Sequence, residues 1–420
     1  MIQSSNSIPN EGNKKLWNYP WKYTESFIIG IAILITGFFV EAISGGNGIT
    51  LPGLPFNFYI ICFFAAALVF FFINYKESPA IVWLSSIPAA ISSVCIYAFL
   101  VLLLGFIPQA PENNSDFLHY LGLTHVKNSW PFILIQLYLL TTLGMVTIKR
   151  AIPLKKKNIG FLLNHFGLWL TLLSAGLGSA DLSRLYLNLN EKQAANNIAT
   201  DQNGQFHQLP FSLRLIDFDV DQYEPKIAIV DYETNQYVLK KGESLPFATK
   251  NKTIELSNWE ITVKDLISQA IAINDSFVAS ESVGSNPAAF ILAKNKITGH
   301  SIQSWITSGS FAADPKYLII NNKEALILLP PSPKKYYSKL IIYENKQTDT
   351  IILEVNKPHS VAGWKLYQSG YDNKKGKWST LSIIEAVNDP WLPVVYIGIA
   401  LLLAGSVYLF WIGKDKNERL

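Results

Sequence analysis

The apolar positions of the chain follow two regimes. Six stretches, at 26–44, 57–74, 80–107, 130–148, 159–179 and 390–412, are nearly free of charge. Each is long enough, at about 20 residues, to cross a bilayer as a helix. Between the fifth and the sixth the pattern shortens to period two or to brief β-branched runs, among them "FSLRLIDFDV", "KIAIVDY", "EITVKDL", "AAFILAK", "KLIIYE", "TIILEV" and "LSIIEAV". Clusters of Asn, Gly, Lys and Pro separate these runs, which is the punctuation of strands. About ten strands are predicted, forming an antiparallel sandwich or an open barrel. A helical pattern remains only in "SADLSRLYLNL", as a continuation of the fifth span, and in "VKDLISQAIAI".

Charge adds an orientation. With both termini inside, the inner segments hold Lys14, Lys15, Lys22, Lys76, Lys149, Arg150, Lys155, Lys156, Lys157, Lys414, Lys416 and Arg419, against Lys127 alone in the two short outer loops. The positive-inside rule then places residues 181–388 outside the cytoplasm. Trp17, Trp21 and Trp411 fall at the expected inner face, and Trp130 and Trp391 at the outer one. The polar lead and Glu41 argue against reading the first span as a cleaved signal peptide. The expected fold is a polytopic α-helical membrane protein with about six transmembrane helices and a large extracytoplasmic all-β domain inserted before the last helix. Its parts are 1–180, 181–388 and 389–420, in a cell membrane with both termini cytoplasmic.

A net charge of +4 gives no reason to expect nucleic acid as a partner. The two cysteines, Cys62 and Cys95, both lie in apolar runs, and no CxxC occurs. The chain therefore carries no dithiol centre or haem-attachment motif of its own. GxSxG, P-loop and HExxH patterns are absent as well, and "GGNG" at 45–48 reads as a turn. His207, His300 and His359 are far apart and fit surface or strand-end positions. His119 and His125, in "HYLGLTH", are six residues apart, so a helix would turn them to different faces. They read as loop residues or as a haem or metal contact at the membrane surface.

His165 is different, because "NHFGLW" sits inside the fifth span. An ionisable side chain at membrane depth is a functional-site hypothesis by default. Six residues past Ile159, it lies about 9 Å along the helix. Three roles remain open on the residue alone: a neutral imidazole bonded across helices, a proton relay, or an axial haem ligand. Asn164, Gly167 and Ser174 beside it suit close packing with another helix. Glu41 is the only clear intramembrane acid, which makes a poor proton chain.

Four stretches together resemble the ResB (CcsB) family of System II cytochrome c biogenesis proteins. "FLLNHFGLWLTLLSAGLGSAD" looks like that family's histidine-bearing span, and "LPFSLRLIDFDVDQYEP" is similar to its early-domain signature. "GWKLYQSGYD" and "DPWLPVVYIGIALLLAGSVYLFW" resemble its closing strand and last span. The resemblance implies a subunit that works with a CcsA-type partner to carry haem b across the membrane and join it to apocytochrome c. It places the role of axial haem ligand on His165, so that the iron is the metal bound, and leaves the second ligand and the tryptophan-rich haem-handling motif to the partner. His119 and His125 are weaker candidates for haem contact. Reduced thiols and reduced iron are implied, with the dithiol work left to a thioredoxin-like protein. The family commonly has three spans before the outer domain, whereas five are expected here. The competing reading is a non-catalytic membrane scaffold that recruits apocytochrome or steadies the partner without binding haem. On either reading the chain alone is no complete enzyme.

Overall fold

The structure, a computed structural model, describes residues 16–109 and 117–417. Lys14, Lys15 and Arg419 of the basic set lie outside the described residues. The chain divides into a helical unit, Met1–Leu182 with Asp389–Leu420, and a β unit, Ser183–Asn388. Among the described residues, six helices are long and apolar enough to cross a membrane. The large all-β unit is inserted before the last of them.

The helices are α1 (Tyr23–Ile43), α2 (Phe56–Tyr75), α3 (Pro79–Leu84), α4 (Ile87–Phe106), α5 (Phe117–Tyr120), α6 (Trp130–Ala151), α7 (Ile159–Leu177) and α8 (Leu392–Asn417). The stretch 80–107, expected as one span, is broken into α3 and α4. Ser86 is extended at the N-cap of α4 and Pro88 occupies its first turn, where a missing N–H costs nothing. The centre of the unit is α6, with 56% of its apolar window buried against 11–28% for the other spans. Hydroxyls join it to α4, where Ser92 Oγ lies 2.9 Å from Tyr138 Oη and Ser93 Oγ 3.0 Å from Thr142 Oγ1. Such bonds hold helices together where surrounding lipid offers no hydrophobic driving force.

The β unit has seventeen strands among its described residues. They run β1 (Ser183–Asn190), β2 (Asn196–Thr200), β3 (Phe206–Gln222), β4 (Ile227–Asp231), β5 (Gln236–Tyr237), β6 (Thr253–Leu256), β7 (Trp259–Ile273), β8 (Ser276–Ala279) and β9 (Asn286–Asn295). The rest are β10 (Ser301–Thr307), β11 (Leu318–Ile319), β12 (Glu324–Leu328), β13 (Pro333–Glu344), β14 (Gln347–Glu354), β15 (His359–Val361), β16 (Trp364–Tyr371) and β17 (Leu381–Asn388). One sheet of eight strands has the order β14-β13-β3-β2-β1-β17-β16-β15. It curls until Ser338 of β13 donates to Gln368 Oε1 of β16 at 2.7 Å and lies 2.7 Å from Ser382 Oγ of β17. Leu187, Leu213, Leu340 and Leu366 fill the inside of the curl. A five-stranded and a four-stranded sheet share a second core, built on Ile229, Ile261, Ile291 and Leu326. Open barrel and sandwich are thus both present.

Both segments expected to be helical are strands. "SADLSRLYLNL" leaves the membrane helix through one short turn and becomes β1, whose leucines 185, 187 and 189 alternate into the core. "VKDLISQAIAI" lies in β7, which pairs with β6, β8 and β9. Register shifts at Val263/Asp265 and Ile267/Ala270 interrupt its period of two. These bulges produce a helix-like spacing of apolar residues.

Candidate functional site

Packing on two sides fixes the rotation of α7. Towards α8 its small residues let the backbones touch. A Cβ added to Gly167 would meet Gly398 O and Leu402 N at 2.6 Å, and one added to Gly405 would meet Asn164 N at 2.4 Å. Asn164 Nδ2 donates to Ser406 Oγ at 2.8 Å and to Leu402 O at 3.3 Å. Towards α6, the buried Trp169 Nε1 donates to Leu140 O at 3.1 Å, and its ring stacks on Phe64. Close packing is therefore borne out for Asn164 and Gly167, and Asn164 makes the bond across helices.

His165 is half buried on the face between these seams. Its Nδ1 lies 3.1 Å from the carbonyl of Phe161, one turn back. A carbonyl only accepts, so Nδ1 carries the proton and Nε2 keeps its lone pair. No partner for Nε2 exists among the described residues. The imidazole stacks on the Phe161 ring at 3.6 Å and 19°, and the Arg150 guanidinium covers that ring at 5.3 Å. Orientation, tautomer and an available nitrogen are all set by local contacts.

The opposite end of α6 holds a second constellation. Glu41 is fully buried near the end of α1. Its Oε1 accepts from Gly48 N at 2.9 Å and pairs with His125 Nε2 at 3.0 Å, while Oε2 accepts from Trp130 N at 2.8 Å. Trp130 opens α6, so the carboxylate also meets the positive end of that helix. The hydroxyl of Thr124 lies 3.4 Å from His125 Nδ1 and 3.3 Å from His119 Nδ1. The two imidazoles, expected on different faces, have centroids 5.2 Å apart. α5 ends at Tyr120, and Gly122, at a φ of 71°, reverses the chain towards His119. "GGNG" is a turn with positive φ at all three glycines, and it also covers this cluster. A Cβ on Gly46 would strike His119 O at 2.7 Å, and one on Gly48 would strike Asn128 O at 2.7 Å. Gly-rich turn, span-end acid and paired histidines in loops at one end were the available signal.

A third polar hub ties α2, α7 and α8 together. Asp181 Oδ1 accepts from Leu54 N at 2.7 Å, and Oδ2 accepts from Asn57 Nδ2 and Trp391 Nε1, each at 2.6 Å. In the β unit, His207 pairs with Asp201 at 3.2 Å on the surface, His300 precedes β10 and His359 opens β15. A cavity of about 520 Å³ there is lined by Asn286, Phe311, Lys377 and Trp378 among others. Burial pushes the Lys377 ammonium below its ordinary range. Among the described residues, no group of three or more His, Cys, Asp or Glu is arranged to hold a bare metal ion.

The model of the ResB-like family matches residues 155–258 and 295–388. The match opens just before α7 and closes with β17. The unmatched 259–294 is no outer loop, since it supplies the core residues Trp259, Ile261, Val263 and Ile291. No curated protein matches the chain. With the histidine-bearing α7, the β unit and the matched stretches in one order, the chain belongs to the ResB-like family, and by family it is a membrane protein related to cytochrome c biogenesis.

Proposed function

We propose that the chain is the ResB/CcsB-type subunit of a System II cytochrome c synthetase, taking part with a CcsA-type partner in haem delivery and in its attachment to apocytochrome c. The observation that carries this reading is the state of His165, with Nδ1–H committed to the Phe161 carbonyl and Nε2 left to bind. Iron-binding histidines characteristically donate their other N–H to a carbonyl or carboxylate, which fixes the tautomer. Haem b is the cargo here, with His165 as one axial ligand and a partner histidine as the other. In the attachment step each cysteine thiol adds across a haem vinyl group, sulfur to one carbon and hydrogen to its neighbour. The chain's own contribution is to hold and orient, with the β unit outside the cytoplasm as the surface where apocytochrome meets haem. Cys62 and Cys95 lie in α2 and α4 and form no CxxC, so thiol reduction belongs to a thioredoxin-like protein.

The test is His165→Gly in the chain purified together with its partner. A pyridine haemochrome spectrum should show most haem lost and added imidazole should restore it. Unchanged haem content and unchanged cytochrome c maturation would leave the scaffold reading in its place.

A further inference from the structure

The cavity of about 520 Å³ in the β unit is framed by turns that hydrogen bonds fix in place. Ser310 Oγ donates to the Gly284 carbonyl at 2.6 Å, and Trp378 Nε1 donates to the Ser285 carbonyl at 2.9 Å. The turn in "DNKKGKW" closes on Asp372. Its carboxylate accepts from Lys374 N at 3.0 Å, and its carbonyl accepts from Lys375 N and Gly376 N, each at 3.1 Å. Gly376 takes the left-handed conformation of the reversal, at a φ of 59°. Lys374, Lys375 and Lys377 thereby line the cavity together, with Asp314 as the one acid among its lining residues. The lysine ion pairs of the β unit are made elsewhere, by Lys250, Lys296, Lys323, Lys335 and Lys357. Lys377 is half buried, its Nζ 4.6 Å from the centre of the Trp378 ring, and Asp219 and Glu281 act on it only from a distance.

Two further lining residues carry groups without partners. Ser285 is 4% and Asn286 6% exposed, and neither Ser285 Oγ nor Asn286 Nδ2 has a hydrogen-bond partner among the described residues. The other end of the Asn286 amide is held, because Thr307 Oγ1 forks between Asn286 Oδ1 at 3.0 Å and the Pro287 carbonyl at 2.6 Å. Buried polar groups are nearly always paired, so an orphaned amide and hydroxyl beside a lysine-lined cavity point to an acceptor that arrives from outside.

We infer that this cavity binds a carboxylate carried by a peptide segment, with Lys377 as its cation and Ser285 and Asn286 as its neutral donors. Ammonium, hydroxyl and amide NH₂ all offer hydrogens, and an ionised acceptor makes the stronger bonds. At about 520 Å³ the cavity is far larger than a carboxylate or a phosphate alone. Pro287, Phe311, Pro331 and Tyr371 line it as apolar surface for the stem and the residues on either side. Ser285 and Asn286 stand in 259–294, outside the stretches that the family model matches. The site is independent of the haem reading of His165.

The experiment titrates the full chain in detergent with acetyl-Ala-Glu-Ala-amide, with its glutamine counterpart and with inorganic phosphate. Proton saturation transfer reads the peptides and phosphorus line broadening reads the phosphate. The glutamate peptide should bind about 10-fold or more tightly than the glutamine peptide, the equivalent of one charge-assisted hydrogen bond. Lys377→Met keeps the stem over Trp378 and should erase that preference, whereas Lys377→Arg should retain it. Ser285→Ala removes a hydroxyl that no other described residue uses, so it should weaken the peptide and leave the melting temperature unchanged or higher. His165→Gly should alter none of this, which keeps the test separate from the haem reading. Equal binding of the two peptides, no binding of the glutamate peptide, or a preference that survives Lys377→Met overturns the proposal. Phosphate binding that depends on Lys377, without peptide binding, makes the cavity a small-anion site and overturns the peptide reading. Peptide binding indifferent to Ser285→Ala takes that hydroxyl out of the site and overturns its role as a donor.

Discussion

Replacing Glu41 by Gln preserves shape and removes charge, which makes it a sharp probe of the cluster. The carboxylate offers acceptors on both oxygens, two to Gly48 N and His125 Nε2 and one to Trp130 N. An amide has one oxygen. Whichever way it lies, its NH₂ faces either the Trp130 N–H or the pair from Gly48 and His125. A charge-assisted bond is worth about 1.5–3 kcal/mol, and a buried donor left without an acceptor costs about 1–3 kcal/mol. Trp130 and Gly48 are only half buried, so water recovers part of the second figure. The expected destabilisation is about 2–4 kcal/mol. That is a large share of a typical total of about 5–15 kcal/mol. Reversible unfolding in mixed micelles, followed by tryptophan fluorescence, measures it for Glu41→Gln, His125→Gln and the double variant. Groups in one network couple by about 0.5–3 kcal/mol, and this pair should do so. A loss below about 0.5 kcal/mol with no coupling would refute the argument, because the amide must give up at least one charge-assisted bond of the buried carboxylate, and that cannot vanish at no cost.

Other outcomes follow from the same contacts. Gly167→Leu should separate α7 from α8 and lower the melting temperature strongly, since the added Cβ meets backbone at 2.6 Å, whereas Gly105→Ala, with nothing within 4 Å, should be neutral or stabilising by up to about 1 kcal/mol. Trp391→Phe removes the indole donor to Asp181 and should cost about 1–3 kcal/mol in the same unfolding assay, with Trp391→Tyr failing to restore it. In the β unit, a hydrogen bond to Asp219 pushes the Tyr337 phenol up to about 12. Because the folded value is the higher one, that bond stabilises fully below the ordinary value of 10.0 and its contribution is lost as pH rises through about 12. Asp219→Asn should move the phenol's absorbance titration down towards 10.0 and flatten the alkaline loss of stability.

The six apolar helices were legible because spans need only length and apolarity, and strands such as β13 because they alternate. The break at Ser85 and Ser86 was not, since apolar residues continue on both sides and only Pro88 marks the new helix. β7 misled through its bulges, which a period count cannot distinguish from a helical turn. The His119–His125 pairing was hidden by the assumption of continuous helix, and its third member, Glu41, comes from another helix altogether. His165 stood out as an ionisable group in an apolar run, but its tautomer needed the Phe161 carbonyl in place.

The first and last strands of the β unit are neighbours, with Ser183 opposite Asn388. Antiparallel partners lie only about 4.5–5.5 Å apart at Cα. A few residues would bridge the points of entry and exit, so the helices need not be re-threaded when the segment between them grows, shrinks or is exchanged. The arrangement makes the β unit a self-contained insertion whose two ends lie side by side.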